Sequence, residues 1–324
     1  MAVPLPIGEV EGRTNMSLPS TLVEAVRYFS DPDVCLKYVA GLVWPNGIPV
    51  CPRCTSRANY YLETRRIWKC KTCGKQFSVR TGTVMADSHV SLDKWLVAIW
   101  AIANAKNGIS SWELHRAIGV TQKTAWFLLH RVRAAMHNRS LSKLRGEVES
   151  DETYIGGLAE KMHEYRRKAK IHGRGGVGKT IVLGLLQRHG EVRAEVVPNT
   201  KRRTVQERVR KHVEPGSELF TDQLASYQGL VPDFAHQVIN HAERYVDGRV
   251  HTNGMENFWS LLKRTIRGTY ISVEPFHLTR YLDEQAYRFN TRKGTDAERF
   301  QRVVSQVTGR RLTYRELTGN EEAA

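Results

Sequence analysis

Three acidic residues lie where a folded chain can gather them. Asp151 sits inside Val148-Glu149-Ser150-Asp151-Glu152-Thr153-Tyr154, Asp222 follows Leu219-Phe220-Thr221, and Glu256 opens an amphipathic stretch. Clustered carboxylates can hold two divalent ions roughly 3.5 to 4 Å apart, one activating a nucleophile and one stabilising a leaving oxygen in phosphodiester chemistry. Taken singly, Asp151 or Asp222 also fits an ordinary solvated acid or turn cap. A charge buried mid-strand at Asp151, however, is costly without a counter-ion. At 100° per residue Glu256 shares a helical face with Ser260, Lys263, Arg264 and Arg267, opposite Phe258, Leu261, Leu262 and Ile266. A solvated charged face would explain that stripe too, but cations around a lone Glu suit a place where a metal meets a DNA phosphate.

Four of the five cysteines form a second constellation. Cys51-Pro52-Arg53-Cys54 and Cys70-Lys71-Thr72-Cys73 read C-x2-C-x15-C-x2-C, with Gly74 placed to turn the second knuckle. Thiolates so spaced close tetrahedrally on one Zn2+, a structural site with no open position. A redox pair would need no partner pair at this distance. Arg53, Arg57, Arg65, Arg66, Lys69, Lys71 and Lys75 surround the pairs and could meet phosphates. Cys35, on an apolar helical face, reads as a buried core thiol.

Gly173-Arg174-Gly175-Gly176-Val177-Gly178-Lys179-Thr180 satisfies GxxxxGK[ST]. A nucleotide loop needs a strand before it and a helix N-terminus after it. Here a basic run precedes it and Ile181-Val182-Leu183-Gly184-Leu185-Leu186 reads as a strand, so a basic loop touching DNA through Arg174 and Lys179 is the better expectation.

The elements that must carry these residues follow from periodicity. Helix-spaced apolar residues predict helices over 21–29 and 32–42, split by Ser30-Asp31-Pro32. Strand-like pieces at 60–63, 67–69 and 76–79 surround the cysteines. A helix from Ser91 to about Lys106 stops at Asn107-Gly108, and helices over 110–117 and 121–136 join through Ile118-Gly119-Val120, a helix-turn-helix spacing. That spacing puts Gln122, Lys123 and Thr124 at the position of base-reading residues, although a structural three-helix bundle gives the same pattern. Strands are expected at 147–155, 181–187, 191–197, 217–221 and 235–239, with helices at 200–212, 252–268 and 275–290. Three strands before the first helix, then alternation, is an α/β RNase H-like order with a mixed sheet. The expected domains are a helical segment (1–45), a zinc ribbon (46–85), a helix-turn-helix-like DNA-binding region (86–140), a catalytic domain (146–293) and a C-terminal extension (294–324).

The 324 residues carry 49 Lys plus Arg against 33 Asp plus Glu, a formal charge of +16. Such an excess favours a polyanionic partner, nucleic acid first among them. The start of the chain shows no signal-peptide pattern, and its longest apolar run, 95–105, is too short for a bilayer, so a cytoplasmic protein with no membrane partner is expected.

Longer motifs now carry a resemblance. CPRC…CKTCGKQFSVRTGTVM, VESDETYIGG, TDQLASY, HTNGMENFWSLLKRTIRGTY and HLTRYLDEQAYRFNTR, spread over residues 28–292, resemble the IS1595-type (ISXO2-like) insertion-sequence transposases. The resemblance implies a DDE enzyme that binds the terminal inverted repeats of its own element and cuts and transfers strands with Mg2+ or Mn2+, acting on double-stranded DNA as a homo-oligomer. By position, Asp151, Asp222 and Glu256 match the three acids and Lys263 the basic residue seven places on. Asn253 and Asn257 are alternative third ligands, because Asn replaces Glu in some members. The offset to Lys263, and the preference of a hard cation for a carboxylate, favour Glu256. His241 matches a family position as well, although a satisfied structural histidine explains it equally simply. The competing reading is a zinc-ribbon and helix-turn-helix DNA-binding protein with an idle RNase H-like domain, and a P-loop ATPase is a more distant third.

Overall fold

The computed structural model describes residues 18–156, 163–165, 178–222, 224–231, 233–238 and 251–319. Local caps set the first helices. Thr21 caps α1 (Leu22–Tyr28) by accepting from the Glu24 N–H, and Asp31 caps α2 (Pro32–Val43), which opens on proline. An antiparallel sheet follows, ordered β1 (Asn59–Leu62), β2 (Ile67–Cys70) and β3 (Gln76–Phe77). Trp44 sets its ring edge-on against Trp68 and Phe77, supplying the small apolar core that so short a sheet needs. Next come α3 (Leu92–Asn104), α4 (Ser111–Ile118) and α5 (Gln122–Met136). A reciprocal Ser110–Glu113 capping box starts α4, and Gly119 ends it in the left-handed conformation.

A five-stranded mixed sheet dominates the second half. Its strands are β4 (Glu147–Ile155), β5 (Thr180–Gln187), β6 (Val192–Val197), β7 (Glu218–Thr221) and β8 (Ala235–Val238), in the spatial order β6-β5-β4-β7-β8. The β4–β5 and β5–β6 pairs are antiparallel, while β4–β7 and β7–β8 are parallel. This is the RNase H-like arrangement expected from the element order. One face packs on α6 (Arg202–His212) through Val148, Leu183, Leu185, Val205, Val209 and Leu219. The other packs on α7 (Asn253–Thr265) and α8 (Leu278–Asn290) through Val182, Leu186, Phe258, Leu262 and Leu282. The expected helix over 252–268 ends at Thr265 and passes into a π-helical turn over Ile266–Tyr270. Asn290 protects the edge of β6, its amide exchanging hydrogen bonds of 2.7 and 3.0 Å with the Val192 backbone.

Two further helices, α9 (Asp296–Val304) and α10 (Tyr314–Thr318), start at capping boxes, Thr295–Glu298 and Thr313–Glu316. Buried Phe300 meets Phe29, Tyr38 and Trp100, so α9 completes the core of the N-terminal helices. The chain forms two compact units accordingly. One contains the described residues up to Met136 and those from Gly294 onward, and the other is His137–Lys293. The segment after residue 293, expected as an extension of its own, thus belongs with the ribbon and helices. No helix among the described residues is long and apolar enough to cross a membrane.

Candidate active site and metal ribbon

The acidic site arises from unequal strand lengths. β7 pairs with β4 only from Glu147 to Glu149 and stops at Thr221, whereas β4 runs on to Ile155. Beyond the end of β7 one edge of β4 is open, and Asp222 stands in that notch. Neighbouring residues on a strand ordinarily point to opposite faces. Asp151 indeed meets Trp259 of α7 on one side, and Glu152 meets Tyr227 on the other. At the notch, carboxylate oxygens of Asp151, Glu152 and Asp222 nevertheless lie within 4.8 Å of one another. Asp222 is held by an Asx turn, accepting from the Leu224 N–H at 3.1 Å.

Hydrogen bonds fix the other two acids. The Trp259 indole donates to Asp151 Oδ2 at 2.9 Å, and the Tyr227 hydroxyl donates to Glu152 Oε1 at 2.6 Å while lying 2.9 Å from Ser150 Oγ. Burial pushes the Asp151 carboxyl up to about 6, with the indole opposing and the negative charge of Asp222 adding to the rise. Glu152 is pushed up to about 7, again first by burial, with Tyr227 opposing and Asp222 and Asp151 reinforcing. Three acids so placed repel one another as anions, and the donor set is all oxygen. Both facts fit a hard divalent cation.

Glu256 belongs to the opposite wall. A cleft of about 580 Å3 is lined by Asp151, Glu152 and Thr153 from β4 and by Glu256, Trp259, Ser260, Lys263, Arg264 and Arg267 from α7 and the turn after it. Glu256 is outside the tight three-acid group but adds to the negative field on Asp151. Asn253 and Asn257 are exposed and do not line the cleft. The Lys263 ammonium is lowered by burial first, then by repulsion from Arg267 and Lys179, so these cations share one neighbourhood.

Close backbone approaches dock α7 against the sheet. Gly184 is the cross-strand partner of Asp151, and a Cβ there would lie 2.1 Å from Met255 Cε and 2.6 Å from the Trp259 ring. A Cβ on Gly254 would lie 2.7 Å from Glu149 Oε2. The buried Glu149 accepts from the Met255 N–H at 2.9 Å, satisfying the start of α7, and pairs with Arg188 at 2.9 Å. Arg188 in turn stacks on Phe220, 4.1 Å from its ring centre. Periodicity and motif spacing assign none of these residues a docking role. Gly184, a small residue inside a regular strand, and Gly254, in the first turn of α7, are the legible signals.

The ribbon thiols also converge. Cys51 Sγ lies 3.6 Å from Cys73 Sγ, Cys54 Sγ lies 3.5 Å from Cys70 Sγ, and all four sulfurs fall within 4.8 Å of one another. Sulfurs about 2.3 Å from a tetrahedral centre stand about 3.8 Å apart, so the cage fits a structural zinc. Burial opposes ionisation of Cys70, but backbone N–H groups of Cys73 and Thr72 outweigh it and hold the thiol down at about 6. Gly74 turns the second knuckle with a φ of +70°.

The expected DNA-contacting residues divide. Gln122 donates to Ser111 Oγ at 2.8 Å, Thr124 Oγ1 lies 2.8 Å from Thr121 Oγ1, and exposed Lys123 sits over the Tyr314 ring. Lys179, Arg264 and Arg267 belong to the surroundings of the cleft. Strand β5 begins at Thr180, directly after Lys179, where a nucleotide loop would need a helix. Arg174 and His241 lie outside the described residues.

Comparison with known proteins agrees with this architecture. The ISXO2-like transposase domain matches residues 143–290, and the transposase zinc-ribbon domain matches residues 30–76. An "Uncharacterized protein in transposable element ISH50" from Halobacterium salinarum is 27% identical over 259 residues, which span 75% of this chain and 86% of that protein. An "Uncharacterized transposase-like protein" from Haemophilus influenzae is 35% identical over 96 residues, 29% of this chain and 77% of that protein. With both domains matched in the order ribbon then catalytic fold, and with relatives of this kind covered over most of their length, the chain belongs to the IS1595-type (ISXO2-like) family of insertion-sequence transposases.

Proposed function

We propose that this transposase binds the terminal inverted repeats of its own element and cleaves and transfers DNA strands at the β4–α7 cleft. The observation that carries the reading is the meeting of Asp151, Glu152 and Asp222 within 4.8 Å, on a cleft whose far wall supplies Glu256 and a row of cations. Asp151, Asp222 and Glu256 would hold Mg2+ or Mn2+, with Glu152 an added ligand on the strand side. Bound there, divalent ions supply activation of the attacking oxygen and charge stabilisation at the leaving one. Lys263, Arg264 and Arg267 attract and orient the phosphate backbone, offsetting the repulsion between DNA and an acidic site. The nucleophile is water in the first step and a DNA 3′-hydroxyl in the second. The zinc-loaded ribbon, α4–α5 with Lys123, and the basic segment containing Arg174 and Lys179 supply end recognition, and two or more copies act together because an element has two ends.

A decisive experiment uses duplexes carrying the inverted repeats that flank the gene, assayed for nicking with Mg2+ and Mn2+ and, in parallel, for gel-shift affinity. Asp151→Asn, Asp222→Asn and Glu256→Gln should each abolish nicking and leave binding nearly unchanged, because each keeps size but removes an anionic ligand. Asn253→Ala and Asn257→Ala should nick as the parent does. Normal nicking by all three carboxylate variants would refute the site. Nicking by Glu256→Gln alongside a dead Asn variant would move the third ligand.

A further inference from the structure

Trp259 is 4% exposed and sits where an apolar residue is needed to dock α7, yet its one polar atom is directed at a proposed metal ligand. The indole Nε1–H donates to Asp151 Oδ2 at 2.9 Å. Room for the ring is provided by the residue opposite Asp151 in the sheet: Gly184 has no Cβ, and one placed there would lie 2.6 and 2.7 Å from the indole carbons. A larger residue at 184 would keep the indole off the strand. Glycine on β5 and tryptophan on α7 thus form a complementary pair whose geometric product is a hydrogen bond to the acid between them.

The bond also joins the two walls of the cleft. Glu256 lies three residues before Trp259 and Lys263 four residues after it, so all three fall on one helical face, and all three line the cleft with Asp151. Fixing the indole on Asp151 therefore fixes how α7 presents Glu256 to the strand. An N–H donor on one oxygen also restricts rotation of the carboxylate, as outer-shell partners of metal ligands do.

We infer that Trp259 is a positioning residue for the catalytic cation: its indole N–H orients the Asp151 carboxylate and sets the spacing between the strand and helix ligands, with Gly184 as the gap that admits it. This rests on the reading of Asp151 as a metal ligand. Packing alone would be served by any large aromatic side chain, whereas positioning requires the N–H.

The test replaces the indole of the full-length, zinc-loaded chain by benzothienylalanine, which keeps the ring shape and substitutes sulfur for N–H. Trp259→Phe serves as a genetically simple companion. Mn2+ alone is the probe, titrated in the absence of DNA and read by electron paramagnetic resonance of the free ion. Loss of the donor should weaken Mn2+ binding about tenfold. It should also raise the Mg2+ concentration for half-maximal nicking by a similar factor, with the rate at saturating Mg2+ mostly recovered. Unchanged Mn2+ affinity in the benzothienyl protein would overturn the inference and leave Trp259 as packing. Asp151→Asn separates this failure from a deeper one. If it too binds Mn2+ like the parent, the cation is not held at Asp151, and the reading on which the inference rests fails with it.

Discussion

Burial and mutual repulsion raise the Asp151 and Glu152 carboxyls to about 6 and about 7, against ordinary values of 3.8 and 4.5. A folded value above the unfolded one makes an acid favour the folded state while protonated. The contribution is full below the ordinary values and is lost as pH rises through the raised ones. With no magnesium or manganese added, the thermal midpoint of the His137–Lys293 unit should therefore fall more steeply between about pH 4 and about pH 7 in the parent than in an Asp151→Asn, Glu152→Gln double variant. Added Mg2+ should raise the parent's midpoint most above that range, where the acids must ionise anyway. Parallel pH profiles for parent and variant, followed by calorimetry, would contradict this. Asp151, Asp222 and Glu256 were legible because each stands at a recognisable place on its element. Glu152 was not, since strand alternation assigns it to the opposite face from Asp151, and only the early end of β7 lets both reach one point.

At the level of elements, β4 is the best-read segment, its expected limits at 147 and 155 being the observed ones, with both faces covered and Asp151 at mid-strand. Less could be read where local and distant forces compete. The expected helix over 275–290 opens on a 3-10 turn, Pro275–His277, before α8 begins at Leu278, and its last residue, Asn290, serves the edge of β6. The capping boxes at Thr295 and Thr313 start helices of only nine and five residues, too short for apolar periodicity to mark them. The start of α7 yields a sharp test. Gly254→Ala would place a methyl 2.5 Å from Leu186 Cδ2 and 2.7 Å from Glu149 Oε2, forcing the helix away from its buried acid. Overpacking of this kind should cost about 1–3 kcal/mol, read by urea denaturation of the catalytic unit. A variant as stable as the parent would show that the helix start yields without loss.

Across the whole molecule, a formal charge of +16 favours a polyanionic partner, in keeping with a transposase family, but it says nothing of how the chain is partitioned. Two compact units predict two thermal transitions, only one of them sensitive to zinc. Cys70→Ser, or a zinc chelator, should lower the transition of the unit containing Trp44 and Trp68, with a change in tryptophan fluorescence, and leave the other within a few degrees. Phe300→Ala should act on the same unit, by about 3–5 kcal/mol, because Phe300 is fully buried against the rings of Phe29, which caps α1, Tyr38 of α2 and Trp100 of α3. If Phe300→Ala lowers only the zinc-insensitive transition, the assignment of α9 to the ribbon and helices is wrong. This return of the chain could not be read locally, since nothing within residues 294–304 names partners as distant in sequence as Phe29, Tyr38 and Trp100.

The same return sets a timetable. Ribosomes deliver residues in order, at about 5–20 per second in domains that fold as they emerge. The His137–Lys293 unit is contiguous and can finish folding as soon as Lys293 is free, whereas the unit begun first must wait for Phe300. First made is thus last completed. A chain whose translation stops short of α9 carries all the acids of the cleft together with a ribbon-bearing unit that lacks its closing helix. Such a product would carry a poorly closed core in its first unit, a mark for proteolysis.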